Sequence, residues 1–170
     1  MNLLFKLLLT MNATSWMLIV YAIKEKITVF SIPPWIFHLA LVILVIILSW
    51  ISLILSNFFG EDSIQSCQGF SLADNEFLPV YLGYFFVSLS IPNCYTMLSL
   101  YVIVFVFTFL SQTQYFNPAY LLLGYHYYHI TTQNGTNFFV IKHGSVIRNK
   151  DQMQLKKLRR INDTSFIERR

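Results

Sequence analysis

The chain has 170 residues, of which 55% are hydrophobic and only 12% are charged. Soluble domains carry about 25% charged residues, so this composition excludes an ordinary soluble domain and indicates a membrane protein. The net charge of +4 is unevenly distributed, because residues 142–170 hold nine of the twelve basic and three of the eight acidic side chains. An apolar part of the chain is therefore followed by a basic segment that is soluble in character.

Two apolar stretches near the start of the sequence are long enough to cross a membrane. Residues 4–23 contain Lys6 as their only charge and predict a first, uncleaved helix. A signal peptide is the alternative, but no small-residue cleavage site follows the apolar run. Residues 35–56 carry no charge and, as a helix, cover about 33 Å, the thickness of one bilayer core. Small residues on one side of this second helix favour close packing with another helix, and the candidates are Ser49, Ser52 and Ser56.

Residues 57–76 form the longest hydrophilic segment between apolar runs, with four acidic residues and no Lys or Arg. We expect Asp74 or Asn75 to cap the next helix, with Glu76 favourable beside its positive end. The alternative is a cation or partner site formed by the four acids. Their spacing is not typical of acid–base catalysis.

Residues 77–110 carry no formal charge, but as one helix they would span about 51 Å, far more than the hydrocarbon core. Pro92-Asn93 is a turn signal, so the stretch predicts a hairpin of helices at about 77–91 and 94–114. Gly83 is a candidate for helix packing on the first of them. Because that helix spans only about 22 Å, the hairpin is either two full crossings or a re-entrant segment.

These four stretches predict an integral membrane α-helical bundle with four transmembrane helices over residues 1–116. The orientation follows from the bias of Lys and Arg between the two sides. One side holds Lys6 and the nine basic residues of the tail, and the other holds Lys24 and Lys26. We therefore expect a multi-pass protein with both termini in the cytoplasm.

Residues 117–170 have a different pattern and predict a small β-rich C-terminal cytoplasmic module. Aromatic and β-branched runs around Asn134-Gly135 predict a β-hairpin, and residues 145–148 predict a third strand. Residues 150–161 predict a short basic amphipathic helix. This charge sets the topology, binds anionic lipid headgroups or docks a soluble partner with an acidic face. The candidate partner- or lipid-binding residues are Lys156, Lys157, Arg159 and Arg160.

The sequence contains no motif for a nucleophile, a phosphate-binding loop or a dinucleotide site. His126 and His129 fall on opposite faces of a predicted strand, which disfavours joint metal binding. Two cysteines do not form a disulfide framework. We therefore expect no enzymatic activity, no catalytic residue, no cofactor, no metal and no direct binding of nucleic acid. The lack of charge inside the predicted helices also argues against an ion-coupled transporter.

Two segments of the chain resemble the KwaA family, the membrane subunits of the bacterial Kiwa anti-phage system. They are ADNEFLPVYLGY, at the entry to the third helix, and YFNPAYLLLGYHYYHI, which runs into the β module. The resemblance extends in architecture over the whole length, and no functional residue is transferred by it. It implies a non-enzymatic sensor in the bacterial inner membrane that forms a homo-oligomer, such as a tetramer. It also implies a cytosolic DNA-binding partner, KwaB, that suppresses phage replication.

Two other functions stay open at this point. The first is a small oligomeric membrane pore, with the serines of the second helix lining its lumen, which conductance in planar bilayers would identify. The second is an accessory or immunity subunit of another membrane complex, which a required co-expressed partner would identify.

Overall fold

The computed structural model of the chain describes residues 3–29, 32–58, 60–62, 67–111, 116–147, 158–162 and 164–168. The helices are α1 (Leu3–Lys24), α2 (Pro34–Ser56), α3 (Phe77–Ser90), α4 (Cys94–Ser111) and α5 (Pro118–Leu122). The strands are β1 (Glu61–Asp62), β2 (Cys67–Leu72), β3 (Tyr125–Thr132), β4 (Asn137–His143), β5 (Leu158–Arg160) and β6 (Ser165–Glu168).

The chain divides into two compact units that do not follow chain order. The helical unit comprises residues 2–50 and 77–117, and the sheet unit comprises residues 51–76 and 118–170. The sequence places a boundary between residues 116 and 117, close to one of these divisions. It does not place residues 51–76 with the C-terminal part of the chain, as the structure does.

In the helical unit, α1 packs against both α3 and α4. Met17, Tyr21, Ile91 and Met97 form its buried apolar cluster. The Tyr81 hydroxyl of α3 lies 2.9 Å from the carbonyl oxygens of both Ala13 and Phe116. Hydrogen bonds of this kind hold apolar helices in one arrangement, because lipid provides no competing partner for a hydroxyl group.

The sheet unit contains a mixed six-stranded sheet in the order β1-β5-β6-β4-β3-β2. The β4 and β6 strands are parallel, and the other neighbouring strands are antiparallel. The expected hairpin is present as β3 and β4, with Gly135 at a positive φ of 76° in its turn, a conformation that glycine adopts without steric cost. One face of the sheet buries Tyr128, Ile130, Val140, Ile147, Leu158 and Phe166 together.

The bundle of four transmembrane helices expected from the sequence is wrong. Four helices form near the expected positions, but among the described residues only α1 and α2 are long and apolar enough to cross a membrane. The α3 helix has 14 residues and rises about 21 Å, which is less than a hydrocarbon core of about 30 Å. The α4 helix is apolar over Cys94–Leu110 and rises about 25 Å. The break at Pro92-Asn93 divides one uncharged run into two pieces that are both too short.

The C-terminal module also differs from its expected form. No strand forms over the described residues 145–147; there the backbone N–H of Ile147 donates to the Tyr128 hydroxyl at 2.9 Å. Burial raises the pKa of Tyr128, so this hydroxyl stays protonated at neutral pH. The basic amphipathic helix is wrong over residues 158–160, which form β5 and pair with β6. The rest of that predicted helix lies outside the described residues, except Ile161, which follows β5 in a bend.

Candidate functional site

The three serines predicted for helix packing are buried within a single copy of the chain, and each takes part in a hydrogen bond. In the helical unit, the Ser49 hydroxyl donates to the Val45 carbonyl at 2.7 Å and accepts from Asn117 Nδ2 at 2.7 Å. Asn117 Oδ1 in turn accepts from the indole N–H of Trp16 at 3.3 Å. A serine that is covered by its own chain cannot line a lumen formed between chains, so this arrangement gives no support to the pore alternative.

In the sheet unit, Ser52 lies 2.6 Å from the hydroxyl of Tyr120, a fully buried residue of α5. Burial raises the pKa of Tyr120 far above its usual value, so the hydroxyl is neutral and shares a single hydrogen bond with the serine. Ser56 donates to the Leu53 carbonyl of its own helix at 2.6 Å. Asn117 and Tyr120 follow the last long apolar run of the sequence, and nothing in the pattern indicated that they bond to the serines.

Gly83, the fourth residue predicted for helix packing, is exposed on α3. A Cβ placed on Gly83 would meet no atom within 4 Å. No contact inside the chain therefore requires a glycine at this position.

The outer face of α2, opposite the serines, is apolar and exposed. Ile43, Leu44, Ile47 and Trp50 each keep between 46% and 55% of their surface exposed. Burial of apolar surface contributes about 25 cal/mol per Å², so a row of such residues is unfavourable in water. Lipid chains or another copy of the protein can cover the face.

The turn between β2 and α3 is bound to β3 by two acid–histidine pairs. Asp74 Oδ2 lies 2.6 Å from His126 Nδ1, and Asp74 Oδ1 accepts the backbone N–H of Tyr127 at 2.7 Å. Both carboxylate oxygens of Glu76 lie 2.9 Å from His129 Nε2. Asp74 thus binds a neighbouring strand and not the α3 amides for which a cap was expected. The paired acid and histidine lie 52 or 53 positions apart in the chain, so no local sequence pattern predicts these contacts.

The basic residues predicted for partner or lipid binding are only partly described. Lys156 and Lys157 lie outside the described residues. Arg159 is buried, with 9% of its surface exposed, and Arg160 is exposed and donates through Nε to the Asn162 carbonyl at 3.3 Å. Neighbouring side chains of a strand point to opposite faces, so Arg159 and Arg160 lie on opposite faces of β5. Of these two, only Arg160 is exposed.

Over the described residues, no group of three or more His, Cys, Asp and Glu side chains is close enough to hold a metal ion. His126 and His129 each face a separate carboxylate. The two pairs act as structural links of the sheet unit.

Substituting Asp74 tests whether its carboxylate holds the turn to β3. We expect Asp74→Ala to lower the free energy of unfolding by about 2 kcal/mol, because a partly buried amide and an imidazole each lose a charged acceptor. Asp74→Asn keeps an acceptor for the Tyr127 N–H and is the matched control, with a loss of about 1 kcal/mol. Thermal unfolding of the purified chain in detergent measures the difference. Equal stability of the two variants would contradict this role.

The comparisons with known proteins identify one family. A family model described as anti-phage protein KwaA matches residues 5–167. No curated protein and no solved structure matches the chain. The match runs through α1, through the sheet and up to β6, so it does not rest on apolar helices alone. The chain therefore belongs to the KwaA family of anti-phage proteins, and it acts in anti-phage defence together with other components of the Kiwa system.

Proposed function

We propose that the chain is a non-enzymatic sensor and scaffold of the defence system, held in the bacterial inner membrane. It oligomerises there and engages a cytosolic, DNA-binding effector of the KwaB type through its sheet unit. The outer face of α2 carries the proposal, because its exposed Ile43, Leu44, Ile47 and Trp50 need an apolar environment. The exposed Gly83 supports oligomerisation, since a position without a Cβ leaves room for a helix of another copy.

The pairing of the strands supports a particular topology. With α1 and α2 both crossing the membrane, the start of the chain and the segment after α2 lie on the same side. That segment contains β2, which pairs with β3 along its length, so the C-terminal part lies on this side too. The side holds Lys6 and the nine basic residues of the tail, against Lys24 and Lys26. By the positive-inside rule it is the cytoplasmic side.

The basic segment around β5 supports contact with an acidic partner. Lys156 and Lys157 immediately precede β5, and Arg160 is exposed on it. Charge complementarity of this kind steers the association of two proteins and selects the partner. Arg159 is covered by the chain itself and is left out of the proposed surface.

A pull-down from solubilised membranes tests the engagement. We expect Lys156→Ala/Lys157→Ala/Arg160→Ala to lower recovery of the effector about tenfold, since three rim ion pairs contribute up to about 1 kcal/mol each. The matched control is Lys150→Ala/Arg169→Ala/Arg170→Ala, which removes the same charge from the same segment and should lower recovery about twofold or less. Recovery is measured by quantitative mass spectrometry against the tagged chain.

Two results would contradict the proposal. Equal losses in the two triple variants would show that general charge, and not a surface at β5, attracts the effector. A homo-oligomer that carries no effector and conducts ions in planar bilayers would favour the pore.

A further inference from the structure

The first turn of α1 holds a lysine that is largely buried. Lys6 keeps only 8% of its surface exposed. Its ammonium group lies 4.6 Å from the centre of the Phe109 ring of α4, and none of the ion pairs between described residues involves it. A cation–π contact supplies no hydrogen-bond acceptor to the ammonium group. The contact with Phe109 therefore leaves the ammonium group able to bind an anion.

The helical unit contains no acidic residue close to Lys6 in sequence. Neither residues 1–24 nor residues 77–150 contain an aspartate or a glutamate, and Glu25 is the only acid in the sequence of this unit. Glu25 follows the other end of α1, about 28 Å along the helix from Lys6. It is already paired there with Lys24, at 3.1 Å. Lys24 thus has a carboxylate partner, whereas Lys6 has none among the residues that the structure describes.

The position of Lys6 in α1 increases the need for an anion. The first turn of a helix carries the positive end of the helix dipole, which disfavours a cation and favours an anion. The first turn of α1 contains no acidic residue. The backbone of α1 and the Lys6 side chain therefore present positive charge together, and the C-terminal end of α4, next to Phe109, offsets part of it.

The surroundings of Lys6 place it beside an apolar outer surface. Contacts of Lys6 with Phe109 and of Thr14 with Tyr101, the latter at 3.3 Å, put α1 and α4 in one antiparallel register. Phe109 is half-buried, and its neighbours Phe107 and Leu110 are exposed. An anion that reaches Lys6 from outside thus arrives along apolar side chains, as a lipid does.

We propose that Lys6 binds the phosphate of an anionic phospholipid in the leaflet at this end of α1. The ammonium group donates to the phosphodiester oxygens as a compact point charge, and the acyl chains lie along the apolar side chains. The end of a membrane-crossing helix lies at the depth of the headgroups. The inference rests on the membrane attachment proposed above. Free inorganic phosphate offers the same charge without the acyl chains.

The test measures binding of phosphatidylglycerol and phosphatidylcholine to the full chain in detergent, by native mass spectrometry. We expect Lys6→Met to weaken phosphatidylglycerol binding about fivefold and to leave phosphatidylcholine binding unchanged. Lys6→Arg should retain the preference. The matched control is Lys26→Met, which removes an exposed charge beyond the other end of α1 and should also retain it.

Several results would overturn the inference. One is that Lys6→Met binds phosphatidylglycerol as well as the unmodified chain does. Another is that Lys26→Met weakens phosphatidylglycerol binding as much as Lys6→Met does. The third is that excess inorganic phosphate displaces the lipid. If Lys6→Met does not fold, Phe109→Leu is measured in its place, because this variant removes the ring and keeps the ammonium group. It must retain the preference for phosphatidylglycerol. Membrane fractionation separates the two proposals, because an unmodified chain found outside the membrane contradicts the attachment itself.

Discussion

We expect Ile43→Asp/Ile47→Asp in α2 to lower the amount of the chain in the membrane fraction and to abolish protection against phage. Both side chains lie on the exposed outer face, near the middle of the helix. An aspartate at the centre of a membrane-crossing helix costs about 2.5–3.5 kcal/mol of insertion free energy, so the pair costs about 6 kcal/mol. Carbonate-washed membranes measure the attachment. Plaque formation on cells that express the whole defence system measures the protection.

The matched control is Ile43→Leu/Ile47→Leu, which changes the same two positions and keeps the face apolar. We expect this variant to stay in the membrane and to protect. If water surrounded the outer face of α2, the aspartates would increase solubility and leave protection intact. The two environments therefore predict changes of opposite sign, and equal membrane attachment and equal protection of the aspartate and leucine variants would contradict attachment through α2.

Local features of the sequence predicted the helices and one hairpin. Residues 35–56 have no charge on any side, and α2 occupies Pro34–Ser56. Asn134-Gly135 lies between two aromatic and β-branched runs, and β3 and β4 pair across that turn. Such signals span a few neighbouring residues, so a single sequence contains them in full.

The sheet could not be predicted beyond that hairpin, because its other pairings join distant segments. The β2 strand reads CQGFSL, which has no regular alternation, and it forms along β3, whose residues lie about 60 positions later. Apolar residues at 155, 158 and 161 fit a helix, yet Leu158 lies in β5 and packs in the sheet core. A window of a few residues cannot distinguish the two structures when a neighbouring strand supplies the hydrogen bonds.

The candidate site was predictable by residue type but not by contact. The serines of α2 were identified because small residues permit close approach. Their partners are Asn117 and the Tyr120 hydroxyl, which follow the last apolar run. The acid–histidine pairs were missed for the same reason, since Asp74 and His126 meet only when β2 and β3 pair.

Tyr120→Ala should give the largest loss of stability in the sheet unit, about 3–5 kcal/mol, because it empties the space of a fully buried ring. Cys67 provides the measurement, since it is half-buried in β2 and packs against the sheet core. In a Cys94→Ser background, which removes the exposed thiol, the labelling rate of Cys67 reports opening of the sheet. We expect Tyr120→Ala to raise that rate at least about a hundredfold.

Tyr120→Phe is the matched control, because it keeps the ring and removes only the hydrogen bond to Ser52. It should raise the labelling rate about fivefold, the effect of about 1 kcal/mol. Ser52→Ala removes the same bond, so the double variant should lose less than the sum of the two single losses. Ser56→Ala breaks a bond within its own helix and should have a smaller effect. Additive losses from Ser52→Ala and Tyr120→Phe would show that the two hydroxyls act independently, which contradicts the bond between α2 and α5.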